Sequence, residues 1–292
     1  MPEATEWIVA SRVLNLKEPI VMGILNLTPD SFYDGGRVLG DIERAIELCG
    51  RMLEEGATII DLGGESTRPG SLPVSSTEEK FRVFPILEKA ITYFPDSLFS
   101  IDTYKSEVAS GAIALGVHII NDISAGRIDE ALLPVVADSS CGYVLMHMQG
   151  TPQTMQENPY YENPLEEIAS FFEERLEYLD SLGIEPGRVV LDPGIGFGKR
   201  VEDNLALISN AGSFARFGRP LLYGVSRKSF LGAITGRVVE DRLPATIATQ
   251  VLLLLQGVKI LRVHDVSAAR DAIKIYLAFE EYRKELRAVA EC

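Results

Sequence analysis

Asn26, Asp61 with Glu65, Asp102, Asn121 with Asp122, His147, Asp192, Ser226-Arg227-Lys228, and Arg262 with His264 and Asp265 follow one another along this chain, each closing a short apolar run. One acid in such a place is ordinarily a helix cap or a satisfied core group. A whole series is different: if the runs are parallel strands whose ends converge, these residues line one pocket. Two carboxylates, Asp102 and Asp192, with the amide of Asn121, make an acceptor-rich floor for a flat heterocycle with several N–H donors, such as a 2-amino-4-oxo-pteridine or a guanine. Arg262, His264 and Asn26 can gather an anion at the rim, and Arg68 and Lys228 add positive charge. The expected ligand joins a donor-rich ring to a phosphate.

Short β-branched runs alternate with longer helical patterns from about residue 20 onward, the signature of βα units around a parallel sheet. Eight strands are predicted: Ile20 to Leu27, Ala57 to Gly63, Leu98 to Thr103, His118 to Ile123, Tyr143 to Met148, Val189 to Ile195, Pro220 to Ser226 and Lys259 to Asp265. Runs such as Thr58-Ile-Ile and Val189-Val-Leu fit strands buried on both faces. Asp41 is placed to cap the first helix, whose Ile42, Ala45, Ile46, Cys49, Met52 and Leu53 share one face before Gly56. Ser75-Ser-Thr-Glu78 reads as a capping box, and Ser267 as the cap of the last helix. Eight such units without a Pro-rich or low-complexity linker predict an α/β fold, a (β/α)8 TIM barrel forming a single domain over residues 1–292, in preference to a doubly wound open sheet. Residues 1–19 form a short N-terminal extension, a hairpin or plug over one end. Chemistry in a parallel barrel belongs at the C-terminal strand ends, where the polar series stands.

With 46% hydrophobic and 24% charged residues over 292 positions, the chain is globular rather than disordered. Its net charge of −14 opposes nucleic acid and anionic membrane surfaces, so neither is an expected partner. Cys49, Cys141 and Cys292 are scattered singly, as in a reducing compartment. The N-terminus is acidic where a secretory signal would be basic, and the longest apolar run, Val251 to Leu255, is far short of the ~20 residues of a membrane span. A soluble, cytoplasmic protein is expected.

Several tempting motifs fail. Gly194-Ile-Gly-Phe-Gly-Lys199 resembles a phosphate loop, but Pro193 occupies the position where a Walker A loop needs its first Gly, so it reads as a flexible βα loop. Asn26-Leu-Thr28 is a formal glycosylation sequon at a strand end in a chain with no secretion signal. With His118, His147 and His264 as the only histidines, and no His-x-His pair, a zinc-hydrolase barrel lacks its usual ligands. His264, between Arg262 and Asp265, is the histidine expected to function.

From Pro19 to Asp265 the chain resembles the dihydropteroate synthase family. Gly23-Ile-Leu-Asn-Leu-Thr-Pro-Asp-Ser-Phe32 with Asp34-Gly-Gly is similar to that family's first signature, and Gly64-Glu-Ser-Thr-Arg-Pro-Gly70 to its second. Ser100-Ile-Asp-Thr103, Ile120-Asn-Asp122, Met146-His-Met-Gln-Gly150, Asp192-Pro-Gly-Ile-Gly-Phe-Gly-Lys199, Ser226-Arg-Lys-Ser-Phe230 and Arg262-Val-His-Asp265 agree in order and type. Leu27 and Tyr33 depart mildly from the usual Val and Ser.

The resemblance implies that Asp102, Asn121, Asp192 and Lys228 hold a pterin ring, with Met146 and Phe197 lining the pocket and Arg262 stacking on the ring. It implies a pyrophosphate site of Asn26, Arg68, Arg262 and His264, with Asn26 also a ligand of Mg²⁺. Phe32, Thr67, Pro69, Phe197, Lys228 and Ser229 would shape a 4-aminobenzoate site, the carboxylate lying at the start of the helix after the seventh strand. Sulfonamides would compete there. A homodimer is also implied.

The implied reaction displaces pyrophosphate from the pterin methylene carbon by an aromatic amine, which needs no strong general base. Pyrophosphate leaves first, assisted by Mg²⁺, Asn26, His264 and Arg262. Asp102 and Asp192 stabilise the cationic pterin left behind, the first two loops close over it, and Asp34 is a further stabiliser or else a turn residue before Gly35-Gly36. Rival readings are a pterin-dependent methyltransferase of the same fold, a Schiff-base aldolase using Lys228, and a non-catalytic pterin-binding barrel.

Overall fold

A computed structural model describes residues 4–28, 38–66 and 70–290. Eight strands, β3 (Ile20–Asn26), β4 (Ile59–Gly63), β5 (Leu98–Asp102), β6 (Ile119–Asp122), β7 (Gly142–Met146), β8 (Val189–Asp192), β9 (Leu222–Tyr223) and β10 (Ile260–Val263), make one parallel sheet in the order β8-β7-β6-β5-β4-β3-β10-β9. The two outer strands meet at a single parallel bridge, Leu191 to Leu221, and Leu191 N donates to Pro220 O at 3.0 Å. That bridge joins the ends of the sheet into a barrel.

The successive apolar residues sort by the two-residue period of a strand. Ile20, Met22, Ile59, Leu98, Ile119, Val144, Val190, Leu222 and Ile260 form one buried cluster inside the barrel. The alternate set, including Val21, Ile60, Phe99, Ile120, Leu145, Leu191 and Leu261, packs outward against the helices in a second cluster. These helices are α1 (Val38–Glu54), α2 (Ser76–Tyr93), α3 (Ser106–Ala114), α4 (Leu132–Ala137), α5 (Pro164–Ser181), α6 (Val201–Ser209), α7 (Ser229–Thr235), α8 (Leu243–Leu255) and α9 (Val266–Ala290). Each strand of the barrel is followed by a helix, and β9 by two.

The N-terminal extension is a hairpin of β1 (Glu6–Val9) and β2 (Arg12–Asn15), turned by Ala10 and Ser11, both at positive φ. Trp7, Val9 and Leu16 are fully buried in the cluster inside the barrel, and Trp7 Nε1 donates to Arg188 O at 2.7 Å. The hairpin therefore plugs the end opposite the strand C-termini.

Most strands are shorter than their apolar runs, because Ile123, Ile195 and Val225 continue the pattern after the backbone ladder has ended. Two expected caps lie inside their helices. The first helix begins at Val38, which puts Asp41 in its first turn, and the last begins at Val266, ahead of Ser267, with Ala269 N donating to Asp265 O. Ser75 does cap α2, accepting from Glu78 N at 3.1 Å, while the Glu78 carboxylate accepts from Arg82 Nε at 2.9 Å. Among the described residues no helix is long and apolar enough to cross a membrane.

Candidate active site

The strand registers put Asn26 opposite Gly63, Gly63 opposite Asp102, and Asp102 opposite Asn121, so the last residues of three neighbouring strands and the penultimate residue of the fourth share one level. Glycine keeps this level open: a side-chain carbon on Gly63 would stand 3.7 Å from Asn26 Oδ1 and 3.9 Å from Asp102 Oδ2. One inward position deeper on β4 lies Asp61, completely buried. Its Oδ2 accepts from Asn121 Nδ2 at 2.9 Å and from Arg262 Nε at 2.7 Å, and Arg262 Nη2 donates to Asp102 Oδ2 at 2.6 Å. Arg262 thus lies on the acidic floor instead of standing apart at the rim. Burial pushes the Asp102 carboxyl up, Arg262 opposes it, and nearby Asp61 reinforces it.

Opposite, Asp192 ends β8 and accepts from Gly194 N at 2.7 Å. Burial raises its carboxyl, against the pull of Lys228. The same burial lowers the Lys228 ammonium to about 8, with Asp192 resisting the shift. Lys228 donates to Ile195 O and sits 4.7 Å from the centre of the Phe197 ring. Met146 is buried with Ile123, Met148 and Met155, against which Tyr104 and Phe197 pack, giving the pocket one apolar wall.

The 193–199 loop, read from sequence as flexible, is pinned. Lys199 is buried, its Nζ 3.0 Å from His147 Nδ1 and donating to Phe197 O at 3.0 Å. Gly196 N donates to Asn204 Oδ1 at 2.7 Å, and Gly196 O accepts from Gln156 Nε2 at 2.9 Å. At Gly194, φ is 69° and a side-chain carbon would lie 1.9 Å from His147 O, so only glycine fits. His147 is a packing residue, edge-on to Phe171 at 4.8 Å, and His118 Nδ1 accepts from Phe99 N.

At the mouth, His264 is exposed, with Nδ1 3.0 Å from Ser226 Oγ, and Ser229 is exposed at the start of α7. Phe32, Asp34, Thr67, Arg68 and Pro69 lie outside the described residues. The stem of the second loop is described. Glu65 accepts from Tyr104 OH at 2.8 Å and from Lys105, and Lys105 also pairs with buried Glu79. Asp61 and Lys105 are among the residues that sequence reasoning left without a task. The signal for Asp61 was its inward position two residues before Gly63; no local pattern marks Lys105.

The site offers buried carboxylates and an amide to a donor-rich ring, an apolar wall to its face, and an imidazole and an amide oxygen at the mouth. The chain matches the model of the pterin binding enzyme family over residues 22–264. The dihydropteroate synthase of Haemophilus influenzae is 42% identical over 268 residues, covering 92% of this chain and 96% of that protein. The crystal structure of the Yersinia pestis dihydropteroate synthase in a sulfonamide drug complex superposes with a TM-score of 0.89 at 39% identity, covering 94% of this chain and 99% of that one. The Xanthomonas albilineans dihydropteroate synthase with 4-aminobenzoic acid gives 0.88 at 40% identity, covering 95% and 98%.

Proposed function

Because the chain belongs to the pterin-binding enzyme family and, within it, to the dihydropteroate synthases, transferases of folate biosynthesis, we propose that its barrel mouth condenses 6-hydroxymethyl-7,8-dihydropterin pyrophosphate with 4-aminobenzoate. The products are 7,8-dihydropteroate and pyrophosphate. The observation that carries this reading is the floor in which Asp61 fixes Asn121 and Arg262 beside Asp102, facing Asp192 and Lys228.

In this reading Asp102, Asn121 and Asp192 accept from the ring N–H groups, Lys228 donates to a ring acceptor, Met146 and Phe197 cover its faces, and Arg262 lies over it. The methylene C–O bond breaks, the electron pair leaves with pyrophosphate, and the amine nitrogen then bonds to the carbon and loses a proton. Asp102 and Asp192 offset positive charge on the pterin while Asn26, Arg68, Arg262 and His264 receive the leaving group. Phe32, Thr67, Pro69, Phe197, Lys228 and Ser229 take 4-aminobenzoate, and Asp34 adds negative charge near the pterin cation.

Among the described residues no group of three or more His, Cys, Asp or Glu is arranged to hold a metal. Asn26 fits a different arrangement, since Mg²⁺ is ordinarily held by one or two protein oxygens together with substrate phosphates and water. Asn26 is a half-buried residue whose Oδ1 lies 3.7 Å from where a side-chain carbon on Gly63 would stand, and that oxygen is of the required kind. Mg²⁺ bound there with the diphosphate would neutralise leaving-group charge.

The whole chain, residues 1–292, acts as one pterin-binding domain in the cytoplasm, in keeping with its net charge of −14 and its buried free Cys49 and Cys141. It pairs as a homodimer through α9, where Ile275, Phe279, Tyr282 and Leu286 are exposed at helical spacing next to α8, itself exposing Leu252 and Leu255. The direct test is pyrophosphate release from the pterin substrate with and without 4-aminobenzoate. Stoichiometric release and dihydropteroate formation requiring both are expected; no release from the two together would overturn the reading.

A further inference from the structure

Strand β9 has two residues, yet the chain beyond it must deliver Lys228 to the pocket. The backbone ladder pairs Leu222 with Ile260 and Tyr223 with Leu261 and then stops. Side chains continue it. Ser226 Oγ accepts from His264 N at 3.3 Å and lies 3.0 Å from His264 Nδ1, and Arg227 grips Asp265 with Nε and Nη2 both at 2.8 Å. Both pairs are 38 residues apart, the offset of the ladder itself. The two strand ends thus stay in register after their backbone hydrogen bonds have ended.

Arg227 is held in a conformation it would not choose. Its φ is 55°, in the left-handed region that a side-chain-bearing residue disfavours, within a turn in which Lys228 N donates to Val225 O at 3.3 Å. Arg227 N donates to Thr246 Oγ1 at 3.0 Å, Arg227 O accepts from Arg242 Nη1 at 3.1 Å, and the guanidinium also donates to Glu240 O at 3.0 Å. Such over-determined strain clusters where geometry matters to function. The ion pair itself is about a quarter exposed on each side, at 27% and 25%, and pairs of that kind add little to stability. Its neighbours in the chain are Lys228 on one side and His264 on the other.

We propose that Arg227 and Asp265 are positioning residues for the reaction: their ion pair extends the β9–β10 register into the mouth and fixes Lys228 and His264 relative to each other. The proposal rests on the functional reading of those two residues. Breaking the pair removes no substrate-contacting side chain but frees the 224–229 segment, and Lys228 with it, to drift from the last strand. Well-oriented groups lose rate steeply on small displacements.

Arg227→Met, Arg227→Gly, Asp265→Asn and the Arg227→Met/Asp265→Asn double variant test it by two readouts, amide hydrogen exchange of residues 224–229 in the free enzyme and steady-state kinetics. We expect faster exchange in that segment and a fall in kcat of about tenfold or more. The double variant should be no worse than either single one, since all remove the same contact. Arg227→Gly, which suits a positive φ, should match Arg227→Met, and Arg227→Lys should recover part of the rate. A purely structural pair would instead lower the melting temperature and leave kcat of the folded fraction unchanged. Unaltered exchange, unaltered kcat, or additive single-variant losses each overturn the proposal. The exchange readout needs no substrate, so failure of the wild-type enzyme to turn over would count against the functional reading and leave the register result separately decided.

Discussion

Asp61 holds Arg262, its Oδ2 lying 2.7 Å from the guanidinium Nε while accepting from Asn121 Nδ2 at 2.9 Å. One buried oxygen therefore orients an amide and a cation that both face the ligand. Asp61→Ala removes this support without removing any expected ligand contact. Leaving buried charge uncompensated is strongly destabilising, on the order of 3–5 kcal/mol, although Arg262 keeps Asp102 and so limits the cost. Pterin affinity should fall by about tenfold or more in the folded variant, with Asp61→Asn milder. Calorimetry with a non-reactive pterin checks it, and unchanged affinity in Asp61→Ala would mean that Asn121 and Arg262 hold their places unaided.

Asp192 and Asn121 are expected to touch the ring directly. Each charge-assisted hydrogen bond lost from a buried site is worth roughly 1.5 to 3 kcal/mol, so Asp192→Ala should weaken pterin binding by at least about tenfold, and Asn121→Ala by a similar or smaller factor. Titration of the folded variants with the same pterin is the measurement. Wild-type affinity in Asp192→Ala would remove that residue from the floor.

The pH profile should report Lys228, whose ammonium is lowered to about 8 by burial. Below that value it is charged and donates to the ring; as pH rises through it, the donor charge is lost and ring affinity declines. The stability consequence has the opposite sense. A lysine whose folded pKa lies below its unfolded value of about 10.4 is penalised by folding while charged, so this penalty is present below about 8 and fades between 8 and 10.4. Lys228→Met should abolish the alkaline limb in pterin binding. A limb that persists in that variant belongs to another group.

The stem of the second loop gives a different signature. Lys105 pairs with Glu65 and Glu79, and Glu65 also accepts from Tyr104, immediately before the Thr67-Arg68-Pro69 segment expected to meet 4-aminobenzoate. Lys105→Met should raise KM for 4-aminobenzoate several-fold more than KM for the pterin substrate, about 1 kcal/mol of selective loss. Equal changes in both would mean that the stem only supports the fold.

How much of this was legible in the sequence depends on how far apart the partners are. Asp102, Asn121, Asp192 and Arg262 could be grouped in advance because strand periodicity and barrel closure carry strand ends to one mouth whatever the details. Asp61 lay in the same series, but its task depends on Arg262, 201 residues later, meeting it inside the barrel. Lys105 and the Arg227–Asp265 pair were equally hidden, being contacts outside the strand ladder that no local period announces. The strands were read too long at β9 because Val225 continues an apolar run, closed by Ser226, that side chains and not backbone bonds hold in place. The caps at Asp41 and Ser267 failed for a simpler reason: a polar residue near a helix start is equally at home in the first turn.

The role of the mouth in chemistry is tested most directly by single-turnover pyrophosphate release in His264→Ala and Asn26→Ala with both substrates saturating. His264 and Asn26 are expected to meet charge that builds on the departing oxygens only as the bond breaks, so their loss should slow release by on the order of 10²-fold while pterin-ring affinity stays close to wild type. Removing Mg²⁺ should slow the wild type similarly and add little to Asn26→Ala. Release at near wild-type rates in both variants would contradict a leaving-group site at this mouth.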